Sequence, residues 1–305
     1  MEKTSNDQSA FLLLILVVFL WGLNSVSIKY LTHFFPPLAL APIRLTLASA
    51  LLLPIVFYQY GYQKIPKRAL LPITGIAVFC IFLHQIALTI GIGATSGIHA
   101  VLILGLSPLF TTSFSVFLLH ESFTLAKGLG IALGFSGLLF VVAGQAQTGA
   151  SLVGDGITCI ATITFVIGSL FVKKATYYVS PLVVTAYSHV MAAIGLDVLG
   201  LVTNSVWLYP DHLGFWPIAV LLFSSLMSTA VGALLWNMSI QKVGASTASF
   251  FQNATPLIGI FASALFLGEE LHWQHFYALI LVMIGVSLGT GVFKMSAPSW
   301  SKSRS

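Results

Sequence analysis

Apolar runs of about twenty residues recur along the whole chain, and a helix of that length is what it takes to cross the hydrocarbon core of a bilayer. They fall at about 10–30, 37–58, 69–90, 95–119, 125–144, 151–173, 181–202, 214–236, 245–267 and 273–293. Polar and turn residues separate them: Tyr60-Gly61 to Arg68, Glu121-Ser122, Gln145 to Ser151, Lys173-Lys174, Asn204 to Gly214, Gln241 to Gly244, and Glu269-Glu270. The reading is an all-α membrane protein of ten transmembrane helices. No separator is long enough for a soluble domain. Only 7% of the 305 residues are charged, against roughly 25% in an average soluble domain, so lipid rather than water is the expected solvent.

The formal charge of +5 does not point to nucleic acid, because the basic residues are scattered at helix ends and form no stripe. Cys80 and Cys159 fall inside apolar runs and read as buried thiols. The first run begins near Ala10 after Glu2, Lys3 and Asp7, with no small-residue cleavage site. A retained helix is expected, with a signal peptide as the alternative. The tail, 294–305, is rich in Ser, Lys and Arg and is expected to be disordered in the cytoplasm.

Lys and Arg placement sets the orientation. With the N-terminus in the cytoplasm, the inside segments hold Lys3, Lys64, Lys67, Arg68, Lys127, Lys173, Lys174, Lys242, Lys294, Lys302 and Arg304. Of the 13 basic residues, only Lys29 is then outside, and Arg44 lies within the second helix. The bias predicts an even helix count, with both termini on the cytoplasmic side of the cell membrane.

The chain also repeats itself. Pro108-Leu109 is followed by Leu119-His120-Glu121, and Pro256-Leu257 by Leu267-Gly268-Glu269, with the same spacing from Pro to Glu. Gly137 falls opposite Gly285 at that offset, and Lys29 with Pro37 matches Lys173 with Pro181 at a slightly shorter one. Residues 1–144 and 145–293 therefore read as two copies of a five-helix unit. Five is odd, so the second copy enters the membrane inverted. Inverted repeats suit alternating access, with the substrate near the midplane between the halves. Duplication for packing alone is the competing explanation.

Trp21-Gly22-Leu23-Asn24, Pro37 and Arg44 resemble the opening of an EamA-type domain. Ser107-Pro108-Leu109-Phe110 through His120-Glu121, then Gly134 and Gly137, resemble its close; Thr255-Pro256-Leu257 through Glu269-Glu270 and Gly285 repeat that close. The chain over about 10–293 is similar to the ten-helix branch of the drug/metabolite transporter superfamily. The resemblance implies alternating-access transport of amino acids, other metabolites or drugs, often outward. It implies that helices 1–4 and 6–9 surround the cavity and that helices 5 and 10 are peripheral. The second half departs from the pattern: Ser188 stands opposite Arg44, and helix 6 has no counterpart of Trp21-Gly22.

Several side chains could carry chemistry. Burying Arg44 costs at least a few kcal/mol; it is either a carboxylate or phosphate clamp or a structural cation bonded to helix-end groups, and the structural role is favoured. Glu121 and Glu269 are expected to cap the following helix rather than to carry protons. Glu270, His272 and His275 could bind zinc, but an amphipathic helix start explains them and no metal is expected. Asn24, His84, His99, Trp236 and Asn253 are the substrate-contact candidates, with Gln85, Tyr187, His189, Asn237 and Gln252 also polar or aromatic at membrane depth. Each could equally be interhelical glue, worth about 0.6 kcal/mol. His84, His99 and Asp197 are the proton-coupling candidates. Pro108 and Pro256 are hinges or static kinks. Gly130/Gly134 and Gly285/Gly289 form small-residue surfaces, for packing within the chain or in a dimer.

Without a GxxxxGK[ST] loop, ATP-driven transport is not expected, and no cofactor is implied. A secondary transporter of small polar metabolites is the leading function, as monomer or homodimer. A membrane-embedded enzyme acting on lipid-linked groups, or a channel, are the alternatives.

Overall fold

A computed structural model describes residues 2–62, 64–118, 124–143, 151–205, 208–210 and 212–290. Glu121, the tail 294–305 and most of the 145–151 connector lie outside the described residues. No strand occurs among those described.

The helices in chain order are α1 (Glu2–Leu31), α2 (Pro37–Tyr60), α3 (Lys67–Ala94), α4 (Gly97–Leu104 and Ser107–Leu118), α5 (Leu125–Ala143), α6 (Leu152–Tyr178), α7 (Pro181–Val202), α8 (Phe215–Val243), α9 (Ala245–Phe251, Gln252–Ala254 and Thr255–Leu267) and α10 (Trp273–Gly289). Among the described residues, eight helices are long and apolar enough to cross a membrane, and Leu125–Phe140 and Trp273–Gly289 are shorter apolar helices. At 17 residues α10 sits at the lower limit of a span, about 17 residues. The sequence reading ended α6 and α8 early. Lys173-Lys174 continues α6, because Lys173 Nζ donates to the Gln241 carbonyl and its charge snorkels at the helix end.

Local chemistry explains the boundaries. Pro37 and Pro181 open α2 and α7 from the first helical position, where the missing N–H is no loss. Ser96, Ser151 and Ser180 cap α4, α6 and α7 by accepting from His99, Gly154 and Val183 N–H groups. Gly268, with φ 68°, ends α9 in the left-handed region that a side chain disfavours.

The two prolines do not kink continuous helices. Each stands second in a new helical segment, after Gly105-Leu106 in α4 and after the 3-10 turn Gln252–Ala254 in α9. The expected single helix over 95–119 is therefore two segments. A proline cannot donate and crowds the preceding turn, so the chain breaks just before it and restarts. The two breaks meet: a Cβ at Gly105 would overlap Pro256.

Packing follows a pattern. α5 packs on α10, α2 on α7, and α4 on α9; α3 packs on α6, and α1 on α8. Each contact is between helices holding the same place in the two halves, or has a counterpart under exchange of 1 with 6, 2 with 7, 3 with 8, 4 with 9, and 5 with 10. Small residues permit the closest approaches. A Cβ on Gly168 of α6 would overlap the Cys80 backbone of α3. Gly130 and Gly134 of α5 meet the backbone of Gly285 and Gly289 of α10. That surface is therefore used within the chain.

Candidate functional site

Two helices carry a π-helical stretch, at Ile76–Leu83 in α3 and Phe223–Val231 in α8. A π turn adds a residue and loosens the backbone bonding around it, and such turns are frequent at functional sites. Side chains tie the α8 stretch down. Trp21 Nε1 donates to the Ser228 carbonyl at 3.1 Å, and Thr229 Oγ1 to the Ser224 carbonyl, five residues back, at 2.8 Å. Trp21 also lies so close to Gly232 that a Cβ there would come within 2.8 Å of its Nε1.

Between these two stretches lies a cavity of about 120 Å³, below the roughly 300–1,000 Å³ usual for drug-sized sites. Residues of α1, α3, α4, α6, α7, α8 and α9 line it. Both helix breaks open onto it, through Leu104 and Ser107 in α4 and Gln252 and Thr255 in α9. No Asp, Glu, Lys or Arg lies among the described lining residues.

One wall is aromatic. The Trp236 ring lies 5.2 Å from Trp21 and 5.8 Å from Phe165; Phe165 stands edge-on to Trp21 at 5.5 Å and 5.3 Å from His84. A polar part of the lining rests on Arg44. That guanidinium, wholly buried, donates from Nε to Ser224 Oγ at 2.8 Å, from Nη1 to Gln85 Oε1 at 3.0 Å and from Nη2 to Thr229 Oγ1 at 2.9 Å. Ser224 in turn donates to Asn24 Oδ1 at 2.7 Å. All three direct partners are uncharged. Arg44 thus holds α2, α3 and α8 together from behind Gln85 and Thr229, in the arrangement of a structural cation.

Three lining residues each keep a buried polar atom without a protein partner: Trp236 Nε1, Gln252 Oε1 and Thr255 Oγ1. Buried polar atoms are nearly always bonded, so these three are exceptions beside the cavity. One is a donor, one an acceptor and one can be either. His84 and His189 also line the cavity. Each ring turns its Nδ1 to a carbonyl, Ala161 and Thr185 respectively, at 2.8 Å. A carbonyl only accepts, so Nδ1 carries the proton and Nε2 is the acceptor when the ring is neutral.

Of the five substrate candidates named from the sequence, Asn24, His84 and Trp236 lie on this cavity, and His99 and Asn253 do not. Asn253 follows Gln252 in the 3-10 turn, and the turn presents Gln252 to the cavity instead. His99 is fully buried at one end of the bundle, with Nδ1 3.1 Å from Asp155 Oδ2. Asp197 is also displaced from expectation: it lies half-buried near the end of α7, accepting from Thr46 Oγ1 at 3.0 and 3.1 Å, away from the cavity. Glu269 does not cap α10. Its oxygens accept from Gly97 N at 2.6 Å and Ile98 N at 2.9 Å, capping α4 of the other half. His272 and His275 instead cap α10 reciprocally, and among the described residues no group of three or more His, Cys, Asp or Glu could hold a metal.

Sequence reasoning missed Asp155, Phe165 and both π stretches. Asp155, four residues after the capping Ser151, has the signature of a helix-start acid, which hid its pairing with His99. Nothing in the local sequence signals the π turns.

A protein of known crystal structure matches this fold with a TM-score of 0.70 over 95% of this chain and 99% of its own, at 16% identity; that likeness concerns the fold alone. The "Uncharacterized transporter YyaM" of Bacillus subtilis (strain 168) is 30% identical over 279 residues, 88% of each chain. A "Probable amino-acid metabolite efflux pump" of Salmonella typhimurium is 26% identical over 292 residues, 93% of this chain and 95% of the relative. The EamA-like transporter family matches twice, over residues 8–143 and 152–290. With both halves matched, this multi-pass membrane protein belongs to the EamA-like transporter family.

Proposed function

We propose that the chain is a secondary transporter that exports small polar metabolites, amino acids or related compounds, by alternating access through the cavity between its halves. The observation that carries this reading is the convergence of both helix breaks and both π stretches on one cavity holding three unpartnered polar atoms. Breaks of this kind border the sites of inverted-repeat transporters. The relatives named amino-acid metabolite efflux pumps support the substrate class and the direction.

In this reading ten helices span the membrane as two inverted copies, 1–144 and 145–293, with 294–305 as a cytoplasmic tail. The mirrored helix contacts support the two-fold relation. The basic bias puts both termini in the cytoplasm of the cell membrane, so the Lys29 end of the bundle is outer and the Lys173 end inner. Asn24, His84, Trp236, Gln252 and Thr255 contact the solute, and Arg44 keeps the polar wall in place.

Counterflow tests it. Proteoliposomes preloaded with unlabelled amino acids should transiently accumulate labelled amino acid from outside and return it chemically unchanged. Conversion of the label would favour the enzyme reading, and flux that does not saturate would favour a channel. Absence of counterflow across an amino-acid panel would contradict the substrate class.

A further inference from the structure

The Arg44 network leaves two amide nitrogens open to the cavity. Arg44 Nη1 can only donate, so the Gln85 atom it meets at 3.0 Å is the amide oxygen. The Ser224 hydroxyl accepts from Arg44 Nε and sends its own proton to Asn24 Oδ1 at 2.7 Å. Both amide oxygens are thus committed to the network, which fixes the amide planes and leaves the nitrogens over. Gln85 and Asn24 line the cavity, and each is 9% exposed. Among the described residues no group accepts from Gln85 Nε2 or Asn24 Nδ2, and neither nitrogen is sealed off as Trp236 Nε1 is. Thr229 adds no third open donor, because its hydroxyl proton goes to the Ser224 carbonyl.

The network also holds a charge that nothing beside it balances. A guanidinium stays charged, and a buried charge is costly unless an opposite one pairs with it. Arg44 is wholly buried, its three partners are neutral, and among the described residues no carboxylate forms an ion pair with it. Asp197 meets α2 through Thr46, two residues on and so about 200° round the helix from Arg44. The cavity lining supplies no Asp or Glu among the described residues.

We propose that Asn24 Nδ2 and Gln85 Nε2 form a subsite for a carboxylate of the transported solute. The inference rests on the reading of this cavity as the solute site. Hydrogen bonds to an ionised acceptor are about twice as strong as neutral ones. Bonding at an amide oxygen also polarises the N–H groups across it, so Arg44 strengthens both donors without touching the solute. The solute's negative charge is the one Arg44 lacks. Two amides match the two oxygens of a carboxylate, whereas a phosphate carries about −1.5 to −2 charges and three acceptor oxygens. An amino acid bears this carboxylate whether its net charge is zero or negative, so Arg44 positions the amides for both alike.

A ligand of the folded state raises the unfolding temperature, which gives the test. The purified full chain is titrated at pH 7 and fixed ionic strength with the common L-amino acids, and with lactate, propionate and benzoate. Each acid is compared with its carboxamide, which keeps the rest of the molecule and loses the carboxylate charge. The best acid should match its amide's effect at a concentration at least tenfold lower. Gln85→Glu sets a carboxylate on Arg44 within the protein, and Asn24→Asp does the same at the other amide. Both should fold, and in both the preference for acid over amide should vanish; should one not fold, the other decides, and failing both the parent's preference decides alone. An amino acid that binds no better than its amide, or a preference unchanged in a folded variant, overturns the subsite and leaves amino-acid transport standing. Binding of lactate, propionate or benzoate but of no amino acid keeps the subsite and overturns the amino-acid reading. If no acid of either kind binds, or inorganic phosphate binds more tightly than all of them, the carboxylate subsite is overturned.

Discussion

The cavity and the Asp155–His99 cluster are both polar, both buried, and both built from the two halves, yet their hydrogen bonding differs. In the cluster, Asp155, Thr95, Glu269 and Ser151 are matched to protein groups. On the cavity wall, Trp236, Gln252 and Thr255 keep polar atoms that no protein group satisfies. A contact that only joins helices is satisfied within the protein. A site must leave part of its bonding to the solute, since a wall that is already satisfied gains little from binding. Arg44 belongs to the first kind although it stands beside the second: its nitrogens are bonded to Ser224, Gln85 and Thr229.

The largest expected effect follows from that last point. Arg44→Ala strands three acceptors and empties a fully buried position. Each lost bond to a charged group is worth about 1.5–3 kcal/mol, so the three together are comparable to a whole domain's stability of about 5–15 kcal/mol. Folded yield in detergent should collapse, and any residual transport should fall equally for anionic and neutral solutes. A well-folded variant with a shifted preference between them would make Arg44 part of the site instead.

Next comes Trp236→Ala, which removes an aromatic wall and an unpartnered donor together. Counterflow should fall at least tenfold with expression retained; unchanged counterflow would move the site elsewhere. A finer contrast lies one residue apart in the α9 turn. Gln252→Leu should weaken solute affinity severalfold and Asn253→Leu much less, because only Gln252 lines the cavity; the reverse order would mean that the turn is oriented differently. The smallest effect belongs to Asp197→Asn. Its carboxylate faces Thr46 away from the cavity, so transport should change by less than about twofold. Loss of coupling in that variant would restore Asp197 as a coupling group.

These contrasts also mark what the amino-acid sequence conveys. The apolar runs locate the helices, since span length is a property of consecutive residues. Matched Pro108 and Pro256 locate the two breaks, since proline's geometry acts locally. Helix rotation is another matter: choosing Gln252 over Asn253 turns on about 100° of rotation, and a 3-10 turn shifts that angle without any letter to announce it. His99 went to the wrong region for a related reason. Its partner Asp155 lies in the other half, and two residues that far apart in sequence pair only through the packing of α4 on α6. Glu269 likewise caps a helix that no local pattern connects to it. In the α8 stretch, Trp21 and Thr229 bond the carbonyls of Ser228 and Ser224, and the Trp21 contact is a tertiary one that no local pattern announces.

The central claim is that one cavity, at the paired breaks of α4 and α9, is reached in turn from the two sides of the membrane. Ser107 lines it at the α4 break and is buried. In the Cys80→Ser, Cys159→Ser background, Ser107→Cys should react with an impermeant maleimide applied from either side, in right-side-out and inverted vesicles. A solute that supports counterflow should slow the reaction from both sides. Reaction from one side alone under every condition, or protection from one side only, would contradict the account.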